Sequence, residues 1–161
     1  VTYKTHPIPQ SFIFGLVEIN STSNDTFKRV VKESLQLIPK ITQAGFTGYA
    51  EFEGGLSAIF VQPNGTIENF NRTFAPLESL ADIPGVSALI TSFPGSWNMY
   101  LDKFLLDPNI ATNIQDASRL LTADVLENKT DELVEFILEN GGGFNWGMLF
   151  FLGSHLAWIL I

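Results

Sequence analysis

No cysteine occurs among the 161 residues. That excludes disulfides, thiolate metal sites, iron–sulfur ligation and cysteine nucleophiles. Cations are scarce as well: nine Lys plus Arg stand against 17 Asp plus Glu, for a formal charge of −8. Binding a phosphate backbone needs a basic footprint, so no nucleic-acid partner is expected. Histidine is limited to His6 and His155, near opposite ends and in no ligand-spaced motif, so no metal site is expected. Gly54-Gly55 and Gly141-Gly142-Gly143 lack the G-x-G-x-x-G spacing and its strand-to-helix context, and neither a Walker loop nor a G-x-S-x-G elbow is present. No internal repeat is evident. What the chain does hold is apolar mass. Hydrophobic residues make up 45%, 14 of them Phe, against 16% charged, in 17.8 kDa. This is enough for the core of one domain, or of part of a larger one, and too little charge for a disordered chain.

The ends are unusual. The chain begins at Val1 without a basic n-region and apolar core, as expected for a mature chain or a segment of a longer one. From Gly141 to Ile161 no side chain carries a formal charge. Residues 144–161, FNWGMLFFLGSHLAWILI, approach the lower limit for crossing a bilayer. One reading is a membrane tether through 144–161. The other is a buried strand from Phe144 followed by an aberrant terminus, as a truncated or mis-spliced gene would give. Asn145, Ser154 and His155, and the lack of a basic flank, weigh against the tether.

Asn-X-Ser/Thr occurs five times, at Asn20, Asn24, Asn64, Asn71 and Asn128, never with Pro in the middle. Eleven Asn and 23 Ser plus Thr would give about 1.6 by chance. The excess favours a secreted chain carrying glycans on these asparagines; the alternative is turn chemistry that happens to be followed by Thr or Ser.

The hydrophobic pattern predicts an α+β fold, an antiparallel β-sheet with helices packed on one face. Residues 1–10 read as a short β-like run broken by Pro7 and Pro9, a linker. SFIFGLVEI (11–19) reads as a buried strand. Phe27, Val30, Val31, Leu35, Ile38 and Ile41 then fall on one helical face. Asn24 or Asp25 is expected to cap that helix, Pro39 to kink or split it, and Gly45 to end it. TGYAEFE (47–53), Gly54-Gly55 and LSAIFVQ (56–62) make a hairpin signal. With TIENF (66–70) after Pro63-Asn64-Gly65, a three-strand meander is expected. A short helix from Ala75 with Pro76 in its first turn, a strand over 86–93, and a helix capped by Ser96 with Trp97, Leu101, Phe104 and Leu105 on its apolar side follow. SRLL (118–121) reads as a strand and Thr122 as the cap of ADVLEN. DELVEFILEN (131–140) reads as an amphipathic helix with Leu133, Phe136 and Ile137 inward and Asp131, Glu132, Glu135 and Glu139 in water.

Glu51 and Glu53 form the best carboxylate pair, about 7 Å apart at Cα if both lie on one strand. With Tyr49 they would make a polar platform able to hydrogen-bond a small-molecule substrate or accept its proton. A solvated strand face is the competing reading, and no catalytic residue is assigned.

The run from SFIFGLVEI to YAEFEGG, continuing through SAIFVQPNGT, FAPLESLADIPGV, NIATNIQDASRLLTADVL and ENGGGFN, resembles the substrate-binding domain of fungal FAD-linked oxidases. These are berberine-bridge-enzyme-like oxidoreductases with a p-cresol methylhydroxylase-type flavin domain. The likeness covers residues 1–147. It implies that 1–10 is an exit strand from a flavin domain, that 11–147 is the substrate-binding domain, and that 148–161 is an apolar tail outside the resemblance. It implies an oxidase in which hydride passes from substrate to FAD and O2 reoxidises the flavin. FAD would be held by the flavin domain and is not expected to bind this chain alone. Tyr49, Glu51 and Glu53 are the candidate substrate contacts. The competing function is a non-enzymatic module, secreted or membrane-tethered, that uses its sheet as a binding surface.

Overall fold

A computed structural model describes residues 7–101, 118–140, 148–151 and 156–160. In chain order the elements are β1 (Phe12–Ser21), α1 (Asn24–Gln43), β2 (Thr47–Glu51), β3 (Gly55–Pro63), α2 (Ile67–Glu78), a 3-10 turn (Ser79–Asp82), β4 (Val86–Gly95), α3 (Trp97–Tyr100), β5 (Ser118–Thr122), α4 (Ala123–Asn128), α5 (Thr130–Asn140), β6 (Met148–Phe151) and β7 (Leu156–Leu160). The strands form one sheet in the order β4-β1-β3-β2-β6-β7-β5, and every neighbouring pair is antiparallel. The fold is α+β, as the pattern predicts.

Alternation along β1 creates the two layers. Ile13, Val17 and Ile19 join Ala50, Leu56, Ala58 and Phe60 in a core closed by Phe27, Val30, Val31, Leu35, Ile38 and Ile41 of α1. From α2, Phe70 and Phe74 enter the same core. Phe74 stacks on Phe70 at 4.3 Å between centroids and meets Phe46 and Phe60 edge-on at 5.1 and 4.9 Å. Gly15 permits this approach, because a Cβ there would collide with the Phe70 ring. The α4–α5 pair packs against α1, with Leu126, Leu133, Val134 and Ile137 buried.

Several local expectations are corrected. TIENF is not a strand: Thr66 accepts the amide of Asn69 at 3.1 Å and starts α2. The meander therefore does not form, and β1 is inserted between β3 and β4. Pro76 lies in the last turn of α2, not the first turn of a new helix. The cap of α1 is Ser23, in a reciprocal box with Thr26, rather than Asn24 or Asp25. Pro39 does not split α1. It is buried, and the Thr42 hydroxyl donates to the carbonyls of Ile38 and Pro39. In α5, Val134 is buried and Phe136 is 47% exposed. Helix periodicity places both near the boundary of the apolar stripe, and packing against α1 selects Val134.

Met148–Phe151 pairs with β2, and Leu156–Leu160 joins β6 to β5. No helix among the described residues is long and apolar enough to cross a membrane. Of the expected exit strand or linker at 1–10, residues 7–10 are in no strand, and residues 1–6, both histidines, Phe104, Leu105, the glycines at 141–143 and the strand start at Phe144 lie outside the described residues.

Candidate functional site

The helices of the core all lie on one face of the sheet. The other face is open over most of β1–β4. Strand register sets three rows of side chains across it. The first row is Leu89, Glu18, Ser57 and Glu51; the second is Thr91, Leu16, Ile59 and Tyr49; the third is Phe93, Phe14, Val61 and Thr47. The third row is covered by α3. Phe12, Phe14 and Val61 are buried under Phe93, Trp97 and Met99, with Phe12 6.0 Å from Trp97 and Phe14 5.6 Å from Phe93 between centroids. The Ser96 hydroxyl accepts the Met99 amide at 3.3 Å and so sets the start of that short helix.

The first row is the polar one. A depression of about 210 Å³ is lined by Glu18, Asn20, Glu51, Glu53 and Ser57, with Ile19, Gly55 and Leu56 beneath. The Ser57 hydroxyl donates to Glu18 Oε1 at 2.8 Å. Ser57 is the register partner of Glu18 on one side and of Glu51 on the other. Two strand spacings put those carboxylates about 9.5 Å apart at Cα. The Glu51 carboxyl is raised above its ordinary value of 4.5, first by partial burial, then by the charges of Glu53 and Glu18. Such a group holds its proton more tightly than an open-water carboxylate and suits proton exchange with a ligand.

The predicted residues are thus placed as follows. Tyr49 and Glu51 share the open face of β2, half-buried, while Ala50 and Phe52 point into the core. The strand ends at Glu51, so Glu53 sits beyond it in the turn before Gly54 (φ 64), exposed, yet it lines the same depression as Glu51. Tyr49 lies one pleat away beside Ile59, outside that lining. Glu18 and Ser57 were not singled out from the sequence. The available signal was Glu18 itself, the one charge in SFIFGLVEI. Its relevance depended on β1 pairing with β3, which the expected meander did not contain.

Does this face suit FAD? A pyrophosphate needs cations, glycine-rich amides or a helix N-terminus. Over β1–β4 the open face presents carboxylates and no Lys or Arg. The cations of α1 lie on the opposite side of the sheet. There Lys28, Arg29 and Lys32 pair with Glu135, Glu33 and Asp131, and Arg29, Lys32, Glu33 and Lys40 line a larger but open groove of about 600 Å³. Over β1–β4 the open face does not supply the cations that the nucleotide half of the cofactor would need. Among them no cluster of His or carboxylates is arranged to hold a metal ion.

Comparison with known proteins places this geometry. No family model matches the chain. It is 43% identical over 156 residues to an uncharacterized FAD-linked oxidoreductase of Arthroderma benhamiae, covering 90% of this chain and 27% of that relative. The VAO-type flavoprotein MtVAO713 from Myceliophthora thermophila C1 superposes on 97% of this chain with a TM-score of 0.72 at 17% identity, using 35% of its own length. MtVAO615 from the same organism covers 93% with a TM-score of 0.67 at 12% identity, using 32% of its length. At these identities the structures establish the fold. The sequence relative establishes that the chain is similar to one segment of a fungal FAD-linked oxidoreductase, and it spans about a quarter of that relative's length.

Proposed function

We propose that this segment is the substrate-binding portion of an FAD-dependent oxidase, in which substrate gives up a hydride to the flavin and O2 reoxidises it. The observation that carries the reading is the one-sided sheet: helices close one face, while the other presents a carboxylate-lined depression beside Tyr49, Leu16 and Ile59. FAD would be held by a partner flavin domain, because the acidic face offers nothing to a pyrophosphate.

On this reading the substrate is a small molecule with hydroxyl or amine donors, since the depression is rich in acceptors. Glu51, with its raised proton affinity, exchanges a proton with the substrate's reacting group. Glu18, held by the Ser57 hydroxyl, and Glu53 orient the donors around it. Tyr49 contacts the same ligand from the neighbouring row, where Leu16 and Ile59 supply an apolar bed. The secretory reading of the five sequons belongs to this proposal as well: the intact protein is exported and glycosylated.

The test is a triple variant, Tyr49→Phe with Glu51→Gln and Glu53→Gln, in the full-length flavoprotein. The expected result is a loss of kcat/KM of about 100-fold or more, the usual scale for removing acid–base assistance, with flavin absorbance per mole of protein unchanged. Retained turnover would refute the role of these residues. Loss of the flavin would show instead that they hold the cofactor.

A further inference from the structure

The five sequons are equivalent in sequence and unequal in the fold. Asn24 is the exposed first residue of α1, Asn71 is exposed on α2, and Asn128 is exposed at the end of α4. All three belong to helices of the layer that covers one face of the sheet. Asn64 is exposed in the left-handed turn (φ 52) after β3, where its Oδ1 accepts the Gln10 amide at 3.2 Å. Asn20 is exposed as well and differs from all four in its place. It lies within β1, between its register partners Gly55 and Ser87. By alternation it shares the open face with Glu18, and it lines the same depression as Glu18, Glu51 and Glu53.

We infer that Asn24, Asn64, Asn71 and Asn128 are glycan attachment sites and that Asn20 is left unmodified. The inference rests on the proposed function, in which the protein is secreted and the open face holds substrate. A glycan on Asn71 or Asn128 projects from the helix layer into water and leaves the sheet untouched. A glycan on Asn20 is rooted in a strand flanked on both sides, and its first sugars must leave across the open face. That oligosaccharide is far larger than the roughly 210 Å³ depression and would fill the space that substrate needs. Glycosylation at Asn20 and a closed, working sheet face therefore exclude one another. The helix layer becomes the outward surface of the intact protein, marked by sugar, and the sheet face becomes the inward one.

Site occupancy in the full-length protein, secreted from a eukaryotic host, decides this. Enzymatic glycan release in heavy-oxygen water labels each formerly modified asparagine for peptide mass spectrometry. The expected result is label at Asn24, Asn64, Asn71 and Asn128, and none at Asn20. Thr22→Ala, which destroys only the Asn20 sequon, should leave the protein's mass unchanged apart from the substitution. Thr73→Ala should remove one glycan and leave turnover unchanged. Label at Asn20 in the catalytically active fraction overturns the partition. So does an unlabelled residue among the other four while its neighbours are labelled. Absence of label at every site in a secreted, active protein overturns the glycan reading and leaves the substrate reading standing. Label at the four sites with full activity in the Tyr49/Glu51/Glu53 triple variant sinks the substrate reading instead.

Discussion

Glu51 occupies a position that a strand residue seldom needs: half-buried, with two further carboxylates around one small depression. Its raised proton affinity has a thermodynamic consequence. The folded chain holds this proton more tightly than the unfolded chain, so protonation favours folding. The contribution is fully present below the ordinary value of 4.5 and is lost as pH rises through the raised one. Glu51→Gln removes the charge, so the variant is expected to be the more stable one at pH 7, by no more than about 0.5 kcal/mol because the group is partly solvated. The advantage should vanish near pH 4. Denaturant midpoints at the two pH values check it; an equal difference at both would mean that the carboxyl's charge is not the cause. The apolar side of the sheet sets a larger scale. Phe74 is 1% exposed and touches three other rings, so Phe74→Ala should cost about 3–5 kcal/mol. Residues of this kind were legible from the chain, since Phe27, Leu35 and Ile38 announce themselves by spacing. Glu18 was not, because its meaning depends on which strand lies beside it.

At the scale of elements, the informative failures are those where capping decided against propensity. TIENF carries two β-branched residues and an aromatic directly after a turn signal, yet Thr66 supplies an N-cap and Phe70 and Phe74 are then one helical turn apart. The tertiary partner, a strand with glycine at position 15, is remote in sequence, and no local pattern contains it. Gly15→Ala would place a methyl group in the Phe70 ring. The ring must shift off the strand, and α2 with it, at a cost of about 1–3 kcal/mol. Thermal unfolding of the single variant measures this, and a Phe70→Leu background should recover part of the loss if the collision is the reason. Ser23 offers an independent control far from that contact. Its hydroxyl accepts the Thr26 amide while Thr26 Oγ1 accepts the Ser23 amide. Ser23→Ala should cost about 1 kcal/mol, as loss of an N-cap does. The β2–β3 hairpin, by contrast, was readable locally, because Gly54 takes the positive φ that its sequence suggested. Strand neighbours that are remote in sequence, such as β1 beside β4 and β6 beside β2, were beyond such reading.

Among the described residues, the open face over β1–β4 carries carboxylates without Lys or Arg, whereas the helix layer carries both signs of charge. Lys28, Arg29 and Lys32 line the outside of α1, and Glu18, Glu51 and Glu53 lie on or beside the open sheet. A dinucleotide approaching the sheet meets repulsion at the phosphates, and Lys28, Arg29 and Lys32 on the far side are paired with carboxylates. The resemblance legible in the sequence implies a flavin held elsewhere, and gel filtration with FAD tests it. The expected outcome is that residues 1–161, mixed with excess FAD and passed through gel filtration, emerge without the absorption of bound flavin. Raising ionic strength should not change this, because the open face over β1–β4 holds no Lys or Arg to be screened; a protein peak that stays yellow would refute the argument directly. The same face is also partly apolar. Leu89 is 64% exposed, and Leu16, Ile59 and Phe93 are partly so. Contiguous apolar surface of this kind usually marks a contact. An environment-sensitive dye should therefore fluoresce with the isolated segment, and Leu89→Glu should reduce the signal by breaking the patch at its most exposed point. On the proposed function the intact flavoprotein should stay dark, because a flavin domain would cover the face. Equal dye binding by the two would mean that the sheet faces water in both, and that the redox partner must be sought at another surface.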